Sequence, residues 1–169
     1  MIAILLFAGA FLFTGSMIFM VAGTKKTVWV TIGFILTVGS VLLMILNYNQ
    51  YLGMKEVSVS HEYPLTSSLK GQKRVLLYRH LGTKDERVYF YKNNPLESKL
   101  ARTDPEKGSV KLTQNASHNR LIVTKTYRVY RNEELRLLFS VGVKNHDYVK
   151  TNWHFNLKPG WRVIAMPAK

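Results

Sequence analysis

Two long stretches near the start of the chain contain no charged side chain. They cover residues 2–23 and 28–53, and only the segment Thr-Lys-Lys-Thr at residues 24–27 separates them. Each stretch exceeds the roughly 20 apolar residues that cross a hydrocarbon core as a helix. Inside lipid, an uncharged stretch of this kind satisfies its backbone polar groups by coiling into a helix. The pattern predicts a transmembrane helical hairpin over residues 1–54, with spans at about 2–23 and 28–48 and a loop at 24–27.

The rest of the chain, residues 55–169, alternates polar and apolar positions with the period of two that is typical of half-buried strands. Segments 74–81 and 86–92 flank a short turn that contains Gly82, and they predict a β-hairpin. Segments 121–130 and 135–143 carry apolar residues mostly at odd positions. We therefore expect them to form two further antiparallel strands.

Shorter patterns extend the predicted β region. The remaining candidate strands are 56–60, 110–112, 151–157 and 161–166. The last two segments are joined by Lys158, Pro159 and Gly160, which suit a type II turn. Seven or eight strands predict a soluble, mainly antiparallel β domain over residues 55–169, built as a sandwich or a small barrel.

The positions of basic side chains predict how the hairpin is oriented. Lys25 and Lys26 lie between the two spans, whereas only Lys55 and Lys70 follow the second span within about 20 residues. The positive-inside rule then places the loop in the cytoplasm and both termini outside. No basic residue precedes the first apolar stretch and a second stretch follows at once, which favours a retained anchor over a cleaved secretory signal. We expect a two-span cell-membrane protein with an extracytoplasmic C-terminal domain.

Charge is concentrated after the apolar stretches. Residues 55–169 hold 22 basic and 10 acidic residues, a formal balance of +12. Such a surface attracts anionic partners, whether lipid head groups, envelope polymers or acidic proteins, or it serves solubility alone. An extracytoplasmic domain would disfavour nucleic acid. The candidate binding face consists of interleaved basic and aromatic residues: Arg87, Tyr89, Tyr91, Lys92, Lys125, Arg128, Tyr130 and Arg131. The alternative is an exposed sheet face that binds nothing.

Small residues recur at helical spacing in the apolar stretches. They are Ala10 and Thr14 in the first stretch, and Gly33, Thr37 and Ser40 in the second. Small side chains let helix backbones approach closely, so these positions predict a helix-packing face. Either the two helices pack on each other there, or the face docks a larger membrane protein. Neither span contains an acidic, basic or histidine side chain, which argues against transport by this chain alone.

The sequence contains no catalytic or metal-binding motif. The lack of cysteine excludes disulfides, thiolate metal sites and a cysteine nucleophile. The histidines and glycines form no HExxH, GxSxG, P-loop or dinucleotide-binding pattern. We therefore expect no cofactor, no metal and no catalytic residue, and interpret the chain as a non-enzymatic accessory protein of the membrane. A module that binds polyanions or lipid head groups is the alternative, and a membrane-tethered hydrolase is the third.

The layout of the whole chain resembles a known family. The resemblance rests on the short amino-terminal hairpin, the Thr-Tyr-Arg-Val-Tyr strand at residues 126–130 and the Lys-Pro-Gly-Trp turn at residues 158–161. These features are similar to small two-span proteins of lactic-acid bacteria that are known only as a domain of unknown function. The resemblance implies residence in a bacterial cell membrane, and it implies no activity or site residues.

Overall fold

The fold combines long apolar helices with a mainly β region. A computed structural model describes residues 1–69, 71, 74–81, 86–93 and 99–166. Its α-helices are α1 (Ile2–Phe19), α2 (Thr24–Gln50) and α3 (Glu133–Leu138). Its strands are β1 (Met54–Pro64), β2 (Val75–His80), β3 (Arg87–Tyr91), β4 (Ala101–Arg102), β5 (Val110–Thr113), β6 (Arg120–Tyr130), β7 (Asp147–Asn156) and β8 (Arg162–Ala165). A short 3-10 helix covers Pro105–Lys107.

The two long helices follow the two uncharged stretches. The connection between them covers residues 20–23, and α2 begins at Thr24, so Lys25 and Lys26 belong to its first turn rather than to a loop. At its other end α2 stops where Tyr51 adopts a left-handed conformation, with a φ of 56°. The Tyr51 and Leu52 N–H groups then both donate to the Leu46 carbonyl, the second at 3.3 Å, which satisfies a terminal carbonyl.

The described strands form two mixed sheets that do not close into a barrel. Their orders are β1-β6-β7-β5 and β4-β3-β2-β8. The predicted hairpin of β2 and β3 is confirmed, because the two strands pair antiparallel with Leu77 opposite Phe90. Its predicted turn, residues 82–85, lies outside the described residues.

The predicted strand at residues 135–143 is wrong. The chain there forms α3, followed by a turn. The Asn132 side chain caps the helix, since its oxygen accepts the Leu135 N–H at 2.9 Å. Glu133 and Glu134 occupy the first turn, where negative charge suits the helix dipole. These local signals for a helix override the alternation of apolar residues.

The predicted pairing of the last two strands is also wrong. β7 and β8 exist, but β7 lies parallel to β5 and β8 lies parallel to β2 in the other sheet. The segment 158–160 therefore carries the chain from one sheet to the other instead of closing a hairpin. Gly160 does have the positive φ, 85°, that the predicted turn required. The parallel pairs make both sheets mixed, while the predicted architecture of two long apolar helices followed by a mainly sheet region is confirmed.

The chain divides into two compact units. The helical unit contains Met1–Glu56 and Arg128–Asp147, and the sheet unit contains Val57–Tyr127 and Tyr148–Lys169. Each unit has its own apolar cluster of buried side chains. The cluster of the helical unit is Ile2, Met54, Tyr130 and Phe139. The cluster of the sheet unit is Leu65, Leu76, Tyr89, Tyr91, Leu121, Trp153, Phe155 and Leu157. The predicted boundary after residue 54 concerns which residues enter a bilayer, and it stays a prediction.

Candidate functional site

The largest distinctive surface of the molecule is the apolar exterior of α1 and α2. Only 17% of the residues in the apolar window of α1 and 11% of those in α2 are buried. Large apolar side chains are exposed along both helices, among them Phe7, Phe11, Ile18, Phe34, Ile35 and Leu42. Soluble proteins rarely leave so much contiguous apolar surface in water. Both helices are long and apolar enough to cross a membrane.

Between the two helices, the buried positions are mostly small or polar and recur every seven residues. They are Ile2, Gly9 and Ser16 on α1, and Gly33, Ser40 and Asn47 on α2. A Cβ atom on Gly33 would lie 2.5 Å from the backbone nitrogen of Phe13. One on Gly9 would lie 2.8 Å from the Leu36 Cβ. The helices can approach this closely because both positions are glycine.

The structure uses most of the predicted helix-packing face between α1 and α2. Gly33 and Thr37 lie against α1, and Ser40 is buried. Ala10 is half-buried, whereas Thr14 is exposed and its hydroxyl donates to the Ala10 carbonyl at 2.8 Å.

Four of these buried positions do not belong to the predicted face: Ile2, Gly9, Ser16 and Asn47. The seven-residue spacing that links Gly33 to Ser40 and then to Asn47 is the signal that could have identified Asn47.

One end of the helix pair is closed by residues 132–143, which we term the end cap. Asn47, fully buried near the end of α2, holds it in place. The Asn47 Nδ2 donates to the Leu52 carbonyl at 2.8 Å, and its Oδ1 accepts the Val143 N–H at 3.3 Å. The Tyr130 hydroxyl also reaches this oxygen, at 3.4 Å. The end cap is therefore joined to α2 by a buried polar network.

Two apolar cavities lie where the end cap meets the helix pair. The larger, of about 380 Å³, is lined by Met1, Ile4, Leu5, Glu134, Leu137 and Leu138. The smaller, of about 280 Å³, has Ile2, Met44, Tyr48, Phe139 and Val141 among its lining residues. The exposed fraction is 49% for Leu137, 58% for Val141 and 72% for Tyr48. The rim of the helical unit is thus apolar well beyond the two long helices.

The eight residues of the predicted anion-binding face are divided between the two units, five in the sheet unit and three in the helical unit. The aromatic members are buried: Tyr89 and Tyr91 in the cluster of the sheet unit, and Tyr130 in that of the helical unit. Burial also raises the pKa of Tyr91. These rings cannot offer a stacking surface to a ligand.

The basic members of that predicted face have separate surroundings. The Arg128 guanidinium lies 3.7 Å from the centre of the Tyr51 ring and 3.3 Å from a Glu56 oxygen. The Arg131 Nε donates to the Met54 carbonyl at 3.3 Å. The basic members in the sheet unit are Arg87, exposed and stacked over the Tyr78 ring, the half-buried Lys92 and the exposed Lys125. A binding role for these residues stays a prediction.

A different set of arginines shares one face of the sheet β4-β3-β2-β8. Laterally paired residues point to the same side of a sheet. Phe90 is paired with Arg102 on one side and with Leu77 on the other, and Val75 is paired with Arg162. Arg79 is two residues beyond Leu77, and its guanidinium lies 5.9 Å from the centre of the Phe90 ring. The three exposed arginines, Arg79, Arg102 and Arg162, which we term the arginine face, therefore surround an apolar centre.

The titratable groups form no catalytic constellation that we can identify among the described residues. Within that part of the chain, no group of three His, Cys, Asp or Glu residues could hold a metal ion. The His154 Nε2 lies 2.8 Å from the Thr113 hydroxyl, and burial, with Lys111 and Arg120 nearby, lowers the pKa of this histidine. A hydrogen bond from Arg136 lowers the pKa of Glu133 in the end cap.

Comparison with known proteins identifies a family. The family model described as "Domain of unknown function (DUF4811)" matches residues 23–168, and the chain belongs to this family. The resemblance noted from the sequence is thereby confirmed as far as a domain of unknown function, while a bacterial source stays a prediction. A search of curated proteins and a search of solved structures each found no match.

Proposed function

We propose that this member of a family of unknown function is a membrane-anchored, non-enzymatic accessory protein. In this proposal α1 and α2 cross the membrane as a hairpin, and the basic β region lies outside the cytoplasm, where it contacts a membrane or envelope partner. The observation that carries the proposal is the exposed apolar exterior of α1 and α2 around an interface of small residues.

This arrangement, with large apolar side chains outside and small residues inside, is the reverse of the one that is stable in water. A helix pair in water buries its large apolar side chains and exposes its polar ones. In lipid the hydrophobic effect does not drive helices together, so their association depends on close packing of small residues and on hydrogen bonds. Gly9 and Gly33 provide the close packing, and the Lys26 side chain donates a hydrogen bond across the pair to the Met17 carbonyl.

The charges at the connection between α1 and α2 support the orientation. Lys25 and Lys26 lie in the first turn of α2, and the Lys26 Nζ donates to the Met17 carbonyl at 2.8 Å. This end of the hairpin is basic, and basic flanks remain on the cytoplasmic side. The opposite end, which leads into β1, then faces outward.

Single-cysteine labelling tests both insertion and sidedness, because the chain has no cysteine of its own. Lys150→Cys in the sheet unit and Thr24→Cys at the start of α2 both change exposed residues. We expect a membrane-impermeant maleimide to label the first variant in intact cells and the second only after permeabilisation. The reverse pattern contradicts the orientation, and release of the full chain by alkaline carbonate contradicts the anchor.

Contact with a partner is tested in the membrane. After cross-linking in intact cells and extraction in a mild detergent, the full chain should migrate in a complex larger than its own oligomers, with the same partner in independent preparations. A chain that runs alone removes the support for an accessory role.

The second candidate function is binding of an anionic polymer or lipid head group by the arginine face. The sheet unit holds 17 basic and 6 acidic residues, a balance of +11. Arg79, Arg102 and Arg162 place three guanidinium groups on one sheet face, and guanidinium groups pair with phosphate through two parallel hydrogen bonds.

A matched pair of triple variants separates such a site from general charge. The full chain in neutral nanodiscs is titrated with fluorescent polyphosphate, and Arg79→Gln, Arg102→Gln and Arg162→Gln are combined. The control combines Lys111→Gln, Lys150→Gln and Lys158→Gln, which are exposed and remove the same charge. We expect the arginine variant to bind about tenfold more weakly and the control to change little. Equal losses would indicate a solvated basic surface without a site.

A further inference from the structure

We infer that the end cap is a third membrane contact, in which Leu137 and Val141 enter the boundary layer of the lipid beside the start of α1. The inference rests on the proposed membrane hairpin, and it names lipid acyl chains as the partner of a segment far from the hairpin in sequence. It concerns the helical unit alone.

The end cap is fixed on the helix pair and cannot be placed independently of it. The Met1 amine donates to the Leu137 carbonyl at 3.0 Å, at one side of the cap. Phe139 is buried in the same cluster as Ile2, and the Val143 N–H bonds to Asn47. The depth of α1 and α2 in a bilayer therefore sets the depth of the end cap.

The length of α1 sets that depth. With 18 residues, α1 is about 27 Å long, slightly less than the roughly 30 Å of a hydrocarbon core. None of its side chains is ionisable, and the charged amine of Met1 just before it keeps the first turn at the polar boundary of the hydrocarbon. Leu137 and Leu138 line a cavity together with Ile4 and Leu5 of that first turn, and they lie at the same level.

The chemistry of the end cap fits this level. Leu135, Leu138 and Phe139 face the cluster of the helical unit, whereas Leu137 and Val141 are more than a third exposed. Glu133 precedes Leu137 by four residues and lies beside it on the exposed side of α3, and its ion pair with Arg136 lies at the level of the head groups. A short amphipathic segment of this kind lies in the plane of the interface, with its apolar side chains in the acyl boundary.

The apolar surface of the cavities is continuous with that of α1 and α2, which favours lipid as the occupant. The two cavities beside the end cap, of about 380 Å³ and 280 Å³, have apolar linings shared with α1 and α2. Their linings join the exposed exterior of these helices, which includes Ile4 and Ile45. An acyl chain that covers this exterior covers the cavities as well.

Environment-sensitive labels can test the contact in the full chain. Single cysteines at Leu137→Cys and Val141→Cys are labelled with NBD in nanodiscs that contain lipids spin-labelled at known depths. Arg136→Cys, which changes an exposed and ion-paired residue of the same helix, is the matched control. Ile35→Cys, exposed on α2, reports insertion of the hairpin. We expect blue-shifted emission and shallow-lipid quenching at 137 and 141, deep quenching at 35, and an aqueous spectrum at 136.

Each outcome of the labelling experiment either supports or contradicts the inference. If the label at position 35 is quenched while the spectra at positions 137 and 141 resemble the aqueous spectrum at position 136, the end cap is in water. The inference then fails, although the proposed hairpin is supported. If 137 and 141 are blue-shifted but not quenched by lipid, protein covers them, and the inference again fails. If 35 is not quenched either, the proposed function fails as well. Because all four positions are exposed, the labels leave the packing of the cluster intact.

Discussion

The helix pair of the helical unit and the sheet unit differ in the kind of side chain that each buries. In the helical unit the interface between α1 and α2 contains Gly9, Ser16, Gly33 and Ser40, while large apolar side chains face outward. In the sheet unit the interior contains large apolar and aromatic residues such as Leu76 and Phe155, while lysine and arginine face outward. The helix pair thus exposes the kind of large apolar side chain that the sheet unit buries.

The contrast indicates that different interactions stabilise the buried residues of the sheet unit and those of the helix pair. In the sheet unit, removal of apolar area from water stabilises the interior, at roughly 25 cal/mol per Å². In the proposed membrane, the helix pair is stabilised mainly by close approach of the backbones and by hydrogen bonding, since the large side chains would gain nothing from facing inward in lipid. The same substitution should therefore have unequal effects in the two units.

The largest expected effect comes from a buried ring in the sheet unit. Phe155 is fully buried, and the centres of the Tyr89 and Tyr91 rings lie 5.7 and 5.5 Å from its own. Phe155→Ala should destabilise the sheet unit by about 3–5 kcal/mol through lost contacts and a cavity. Phe34→Ala removes an equal ring from the exposed side of α2 and should stay within about 0.5 kcal/mol. Thermal unfolding in detergent, followed by near-ultraviolet circular dichroism, measures both, and equal losses would break the contrast.

The next effect comes from enlarging a residue between the helices. In Gly33→Leu the new Cβ would meet the Phe13 backbone, which cannot rotate away, so the helices must separate. We expect a loss of about 3 kcal/mol in a titration with SDS that follows helix dissociation. Gly39→Leu makes the same change on the same helix where nothing lies within 4 Å, and it should be tolerated. If both variants behave alike, close approach of the backbones does not hold the pair together.

The buried amide of the helical unit should have an intermediate effect. Asn47→Ala leaves the Leu52 carbonyl and the Val143 N–H without their partner, and we expect a loss of about 2 kcal/mol. Asn49→Ala, two residues further along α2 and exposed, is the control. Protection of the Val143 amide from hydrogen exchange measures the attachment of the end cap directly. Unchanged protection in the first variant would mean that the network contributes nothing.

The smallest expected effect is a dependence of the sheet unit on pH. The lowered pKa of His154, caused first by its burial and then by Lys111 and Arg120, means that the unfolded chain takes up a proton at a higher pH than the folded chain. The contribution is therefore fully present above the unfolded value of about 6.5 and is lost as the pH falls toward the folded value. Unfolding midpoints of the full chain between pH 8 and 5 should drop, and His154→Gln should reduce the drop. The exposed His118→Gln should not.

What could be predicted from the sequence was mostly local. The two helices follow from uncharged stretches, and the β2–β3 hairpin follows from two alternating segments around a short turn. α3 was missed because its leucines also fit a period of two, although Asn132, Glu133 and Glu134 together are a helix start.

The arginine face and the parallel strand pairs depend on contacts that no local pattern contains. Arg79, Arg102 and Arg162 share a face only through the register of four strands. Tyr89 and Tyr91 were expected to face outward, yet Val88 and Phe90 alternate with them, so both sides of β3 are apolar. A pattern with two apolar sides does not indicate which one is buried.

The composition of the helical unit has a consequence for biogenesis. The ribosome makes the hairpin first, but the residues that complete it, Arg128–Asp147, emerge only after some seventy further residues have been translated. Until then Asn47 has no partner from that segment, and the helix pair keeps an unfinished end. If the hairpin enters a membrane as proposed, its maturation is therefore a late event in synthesis.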